Sequence, residues 1–101
     1  MGNNNNTENA KCTGVFIGLE DHGIPTCLVS LEGGGWGQSW GGYDLRYSNY
    51  AEQTIRGLCK VFEVNNVLDC KGKVVRIRRN GYFGPIVAIG HIYKDEWFNL
   101  G

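Results

Sequence analysis

The sequence has no excess charge of either sign, since ten Lys and Arg balance ten Asp and Glu. Nothing in the net charge draws the chain towards nucleic acid or an anionic membrane. It has no apolar run near the roughly 18 residues of a membrane span, and its first residues carry no apolar signal core. A cytoplasmic location is therefore expected. Met1-Gly2-Asn3 opens like a lipid-attachment signal, but Asn6 stands where that pattern needs Ser or Thr. The four cysteines, Cys12, Cys27, Cys59 and Cys70, include no CxxC pair. Neither a zinc knuckle nor a secreted disulfide scaffold is implied, and the thiols are read as small buried side chains. One cross-strand disulfide or an exposed reactive thiol is the alternative.

What is present suits one soluble domain: 101 residues, 42% hydrophobic and 20% charged. Residues Met1 to Ala10 hold five asparagines and almost nothing apolar, which predicts a disordered tail ahead of a domain over 11–101. Lys11 to Glu20 then alternates, with Val15, Ile17 and Leu19 on one side and Phe16 on the other. Asp21-His22-Gly23 reads as a tight turn, and Pro25 to Glu32 as the returning strand of a hairpin. From Leu31 to Leu45 six of fifteen residues are glycine, yet Trp36, Trp40 and Tyr43 sit among them. An extended backbone there puts both indoles on one face and mostly minimal side chains on the other. Glycine inside a strand marks a bulge, a bend or a close approach, and aromatic packing on the hairpin would hold its shape.

One helix is predicted, over Asn49 to Phe62, with Ala51, Ile55, Leu58, Cys59 and Phe62 on its apolar face. Asn49 and Glu52 have the spacing of a capping box, and Gly57 in its middle suggests close packing there. Lys73 to Arg79 reads as a strand with Val75 and Ile77 inward and Arg76 and Arg78 outward. Asn80-Gly81 is a turn, and Pro85 to Tyr93 a last strand, followed by a short tail carrying Trp97 and Phe98. The order β-β-β-α-β-β makes an α+β fold, an antiparallel sheet of about five strands with the amphipathic helix on one face.

Four stretches in this order, Gly18-Leu19-Glu20-Asp21-His22-Gly23, Gly35 to Tyr43, Lys71 to Arg76 and Ile89-Gly90-His91, resemble a family of small uncharacterised proteins encoded by phages and prophages. In that family a GLEDHG hairpin precedes a GxGQxxGGY segment. The resemblance spans nearly everything after residue 12. Trp36 and Trp40 depart from it, standing where smaller or different residues are expected. It implies no known chemistry. It does imply an accessory role in phage–host conflict, inside a bacterial host, where small proteins act by binding.

The candidate chemistry is sparse. The glycine segment lacks the Gly-Lys-Ser/Thr ending of a P-loop and is no GxGxxG in a βαβ unit. Its exposed N–H groups can form an anion-binding nest, with Trp36, Trp40 and Tyr43 stacking a base and Gln38 reading its edge. Gly35, Gly37, Gly41 and Gly42 would let the ligand approach. A glycine-bent strand that packs its rings into the core is the competing reading. Asp21, His22 and His91 are the only acid–imidazole material, too few for a metal site and without a nucleophile. As plain structural residues they would be a turn histidine and a hydrogen-bonded strand histidine. Lys71, Lys73, Arg76, Arg78 and Arg79 put five cations in nine residues. Arg76 and Arg78 share a face that suits phosphate or carboxylate, or simply a solvated, aggregation-resistant edge.

Three functions compete. The first is a binding module, whose candidate ligand residues are Asp21, His22, Gly35 to Gln38, Trp40 to Tyr43, Arg76 and His91. It would sequester a nucleotide-like signalling molecule or block a host defence protein, with no cofactor, no metal and no catalytic residue. The second is a small hydrolase or phosphoesterase using His22 and His91, which needs both imidazoles on one water or metal. The third is an oligomer-forming structural component, since small chains gain buried area by self-association.

Overall fold

A computed structural model describes residues 7–20, 22–81 and 84–99, without the side chains at 43, 44 and 48. Six strands form one antiparallel sheet: β1 (Thr7–Glu20), β2 (Ile24–Gly33), β3 (Trp36–Asp44), β4 (Val74–Arg79), β5 (Ile86–Gly90) and β6 (Trp97–Phe98), in the spatial order β3-β2-β1-β4-β5-β6. A single helix, α1 (Ser48–Phe62), lies between β3 and β4 in the chain and packs on one face, and a 3-10 turn spans Val67–Cys70. The α+β architecture is as expected. The sixth strand comes from Trp97-Phe98, which pairs with Gly90 and Ile89 instead of trailing as a tail.

The alternation of apolar residues builds the core, but three register shifts redirect it. Thr13 is an extra residue in β1, because Cys12 faces Leu31 while Gly14 already faces Ser30. The inward set therefore changes from Ala10 and Cys12 to Val15, Ile17 and Leu19 along one strand. A second shift, at Gly41–Gly42 in β3, uses φ values of +118° and +83°. There a Cβ on Gly41 would sit 2.5 Å from the Cys27 carbonyl oxygen, so only glycine fits. The third lies in β5 opposite Arg78 and Arg79.

Helix α1 differs from expectation at both its start and its face. It begins at Ser48, capped by the backbone of Tyr47 with no side-chain bond, and Glu52 reaches Arg56 at 2.8 Å instead of a capping box. Thr54, Leu58, Val61 and Phe62 point inward and Ile55 is exposed, because the sheet meets the helix one residue further round than the sequence pattern suggests. Glu63 in the left-handed conformation ends it, its N–H bonding Lys60 O and Val64 N–H bonding Cys59 O.

The sheet is strongly coiled. Trp40 on β3 and Phe98 on β6, with four strands between them, meet edge to face with centroids 5.3 Å apart beneath α1. Phe98 in turn fills the place a side chain on Gly57 would occupy. The core runs from these rings through Val29, Leu31, Leu58, Val61, Val75, Ile77 and Ile89. β1 begins at Thr7, so Thr7–Ala10, expected in the disordered tail, pair with Arg78 to Val75 instead. Residues 1–6 lie outside those described.

At its far end the β1–β2 hairpin runs past the core. The thirteen steps between its fourteen residues, at about 3.3 Å each, make β1 roughly 43 Å long, and the longest dimension of the molecule is 43 Å. Ile17 and Leu19 are on the helix side of the sheet, yet they are 52% and 68% exposed because α1 does not extend over them.

Gly57→Ala tests the helix–sheet seam. Alanine favours a helix by about 1 kcal/mol, whereas forcing Phe98 aside costs roughly 1–3 kcal/mol. A net loss of about 1 kcal/mol is expected in urea unfolding. A gain in stability would show that the contact is loose.

Candidate functional site

The glycine segment forms β3 and the turn before it. Gly34 and Gly35 make the two-residue turn of the β2–β3 hairpin, Gly35 with φ +80°. From there Trp36, Gln38 and Trp40 all point to the helix side, and each is held by other parts of the fold. The Trp36 ring lies across bare Gly33, and the Arg79 guanidinium stacks on it at 4.5 Å from the centroid. Its Nε1–H donates to Glu8 Oε1 at 2.9 Å. Arg79 donates from Nε to Glu8 Oε2 at 3.0 Å and from Nη1 to Gln38 Oε1 at 3.3 Å and Gly84 O at 3.0 Å. Burial works against the Glu8 charge, but the hydrogen bonds from Arg79 and Trp36 and the Arg79 charge outweigh it and hold the carboxyl below its usual range. Trp40 is 6% exposed, in the core.

Trp40 is therefore not presented to a base, while the half-buried Trp36 ring and Gln38 carbonyl are engaged by Arg79. What β3 exposes is Gly37, Ser39, Gly41 and Gly42, almost without side chains. β3 is also an outermost strand, which among the described residues pairs with β2 alone. Beyond it Tyr47 and Tyr50 meet edge to face at 6.1 Å, both exposed, and with Asn49 they line a concavity of about 320 Å³. The backbone of Tyr43 pairs with Cys27, while its side chain, like Asp21, lies outside the described residues.

The two histidines do not converge. His22 is exposed at the hairpin tip with φ +63°. His91 is 2% exposed just after β5, level with the stretch of β4 that pairs with Ala10. The ten residue steps from Ala10 to Glu20 alone put roughly 30 Å between them. His91 Nδ1 accepts N–H bonds from Tyr93 at 3.2 Å and Lys94 at 3.1 Å, which places the proton of the neutral ring on Nε2, 3.1 Å from Glu63 Oε2. The Lys94 ammonium, 2.8 Å from the same oxygen, and then His91 hold the Glu63 carboxyl below its usual range. Arg76 is tied to this turn as well, donating from Nε to His91 O at 2.8 Å and from Nη2 to Lys94 O at 2.6 Å. These residues fasten the loop between β5 and β6.

Sequence reasoning missed Glu8, Arg79 and Trp97. Glu8 lies in the polar stretch that predicts a tail. Arg79 shares the parity of inward Val75 and Ile77, a signal hidden by reading the cations as one solvated group. Trp97 carries Arg78 and Arg76 over its ring at 4.0 and 4.8 Å, above bare Gly90. All four thiols are free of disulfides. Burial raises those of Cys12, Cys27 and Cys70, the last pushed up to about 12 with help from nearby thiols, so these three are neutral and unreactive. Among the described residues no three His, Cys, Asp or Glu gather to hold a metal, and no helix is long and apolar enough to cross a membrane.

Comparison with protein-family models, with curated proteins and with solved structures found no match.

Two outcomes test this geometry. Trp40→Ala is expected to cost about 3–5 kcal/mol, a large part of the roughly 5–15 kcal/mol a domain has. Thermal melting would show this; an unchanged midpoint would mean that Trp40 is not a core residue. Glu8→Gln tests the polar cluster through pH. A depressed carboxyl stabilises the fold above its unfolded pKa and ceases to as pH falls through the folded one. The variant should be less stable than wild type at neutral pH, and the gap should close below about pH 4. A gap independent of pH in urea titrations would rule out the ion pair as its source.

Proposed function

We propose that this chain is a non-catalytic binding protein that blocks a protein target by offering the bare edge of β3 for strand addition. The observation that carries this reading is an outermost strand whose exposed positions are Gly37, Ser39, Gly41 and Gly42. A partner strand added there gains backbone hydrogen bonds and meets no side chain in its way. Charged residues and proline normally guard such an edge, and β3 has neither among its exposed positions before Asp44. The internal indoles keep the glycine backbone in one conformation, which lowers the entropy lost on docking. Tyr47 and Tyr50, exposed just after β3 in the chain, add amphipathic contacts.

This favours blocking a host protein over sequestering a nucleotide. Base stacking on Trp36 and Trp40 would need rings that are instead packed under Arg79 and against Phe98. The separation of His22 from His91 removes the geometric basis of a shared hydrolytic water. An accessory role in phage–host conflict, as the family resemblance implies, fits a small blocker of this kind.

Gly37→Lys with Ser39→Lys is the test. A Cβ at Gly37 meets only Leu31 O, at 3.8 Å, so the fold tolerates the change. A photo-crosslinker at Ser39 should capture one host protein, and one at Val74 should not. The double-lysine variant should bind that purified protein at least about 100-fold more weakly at an unchanged melting temperature. Undiminished binding, or stabilisation by a nucleotide with no protein captured at the edge, would overturn the proposal.

A further inference from the structure

We infer that a second copy of this chain docks along the open edge of β1, pairing Gly14–Glu20 antiparallel with the same stretch across a two-fold axis at Ile17. This goes beyond the proposed function, because it uses a different strand edge.

The opening exists because β4 is short. It pairs with β1 from Thr7 to Lys11, and Cys12 exchanges backbone bonds with Gly72 and Lys73. From Gly14 to Glu20, among the described residues, β1 has β2 on one side and no strand on the other. Alternate residues along these seven therefore present backbone donors and acceptors to the open side, and the stretch GVFIGLE contains neither Lys nor Pro to guard them. Its side chains are apolar on both faces: Phe16 is 42% exposed on one, with Ile17 and Leu19 on the other.

A second copy fits this edge by symmetry. Residues directly opposite in an antiparallel pair share a face. A two-fold axis normal to the sheet therefore admits only registers in which one residue faces its own copy. Ile17 is the midpoint of the open stretch. Centred there, Ile17 meets Ile17, Val15 meets Leu19, and Phe16 meets Gly18 of the second copy. The Phe16 ring already lies over its own Gly18, where a Cβ would be 3.0 Å from Cζ. The dimer sets the two phenyl rings diagonally side by side over two bare glycines, the cross-strand covering of glycine by an aromatic ring. Glu20, the one charge in the stretch, falls opposite Gly14, so no like charges meet.

The product is a continuous ribbon in the order β3-β2-β1-β1-β2-β3. The two glycine-rich edges become its outer borders, five strand spacings or about 24 Å apart. Dimerisation would leave both β3 edges open and make the assembly bivalent.

Sedimentation velocity over a concentration series tests this. The wild-type chain should approach twice its 11.2 kDa mass as concentration rises. Ile17→Lys faces two ammonium groups across the axis and should raise the dimer dissociation constant at least about 100-fold. Circular dichroism should stay unchanged, because Ile17 is already half exposed. Ile17→Cys should form a disulfide-linked dimer through the introduced thiols under mild oxidation, mapped by mass spectrometry, and this decides the matter if the lysine variant fails to fold. A wild-type chain that stays monomeric at its highest soluble concentration, a lysine variant that dimerises as before, or no crosslink at position 17 would each overturn the inference. Loss of the dimer leaves binding at β3 as a separate measurement.

Discussion

The contact of Trp40 with Phe98, seated on Gly57, is the constraint around which the molecule is organised. These rings belong to the two outermost strands of a six-stranded sheet, and they can touch only if the sheet coils far enough to bring its borders under one helix. The coiling sets the core and the direction of β3. It also leaves the far half of the β1–β2 hairpin uncovered, because one fifteen-residue helix cannot extend along a strand of that length. Glycine at position 57 is needed to bring the helix close enough, against its own helix propensity.

A polar counterpart acts at the other end of the coil. Arg79 on β4 joins Glu8 on the neighbouring β1 and reaches Gln38 and the face of Trp36 on β3, with two strands between. At the β5–β6 loop, Arg76, His91, Glu63 and Lys94 form a second closed set. The residues that look most like binding chemistry in the sequence are thus largely engaged in holding the sheet in its curved form. What these sets leave accessible is the glycine-rich edge of β3, the apolar stretch of β1 at Phe16, Ile17 and Leu19, and the exposed rings of Tyr47 and Tyr50.

Much of this was legible beforehand. Alternation identified the hairpin, Asn80-Gly81 the later turn, and the helical period α1, because local patterns follow from the geometry of each element alone. The tail at Glu8 and the strand at Trp97-Phe98 were not legible. A short polar or terminal stretch becomes a strand only when a neighbour supplies its hydrogen bonds, and those neighbours, β4 and β5, are distant in sequence. The covered face of α1 departs from its apolar period at Ile55 for a related reason, since the docking angle of the sheet selects which residues are covered.

By itself the sequence determined the fold class, the single helix, the close approach at Gly57 and the absence of familiar catalytic motifs. These depend on residue type, spacing and period. Tertiary structure alone decided which rings are internal, that Arg79 belongs with Glu8, that His22 and His91 stand apart, and that, among the described residues, the outer side of β3 and the Gly14–Glu20 stretch of β1 lack a further strand. Each of those is a relation between residues brought together by sheet coiling and register shifts, and a one-residue bulge such as Thr13 is enough to reverse which face a side chain takes.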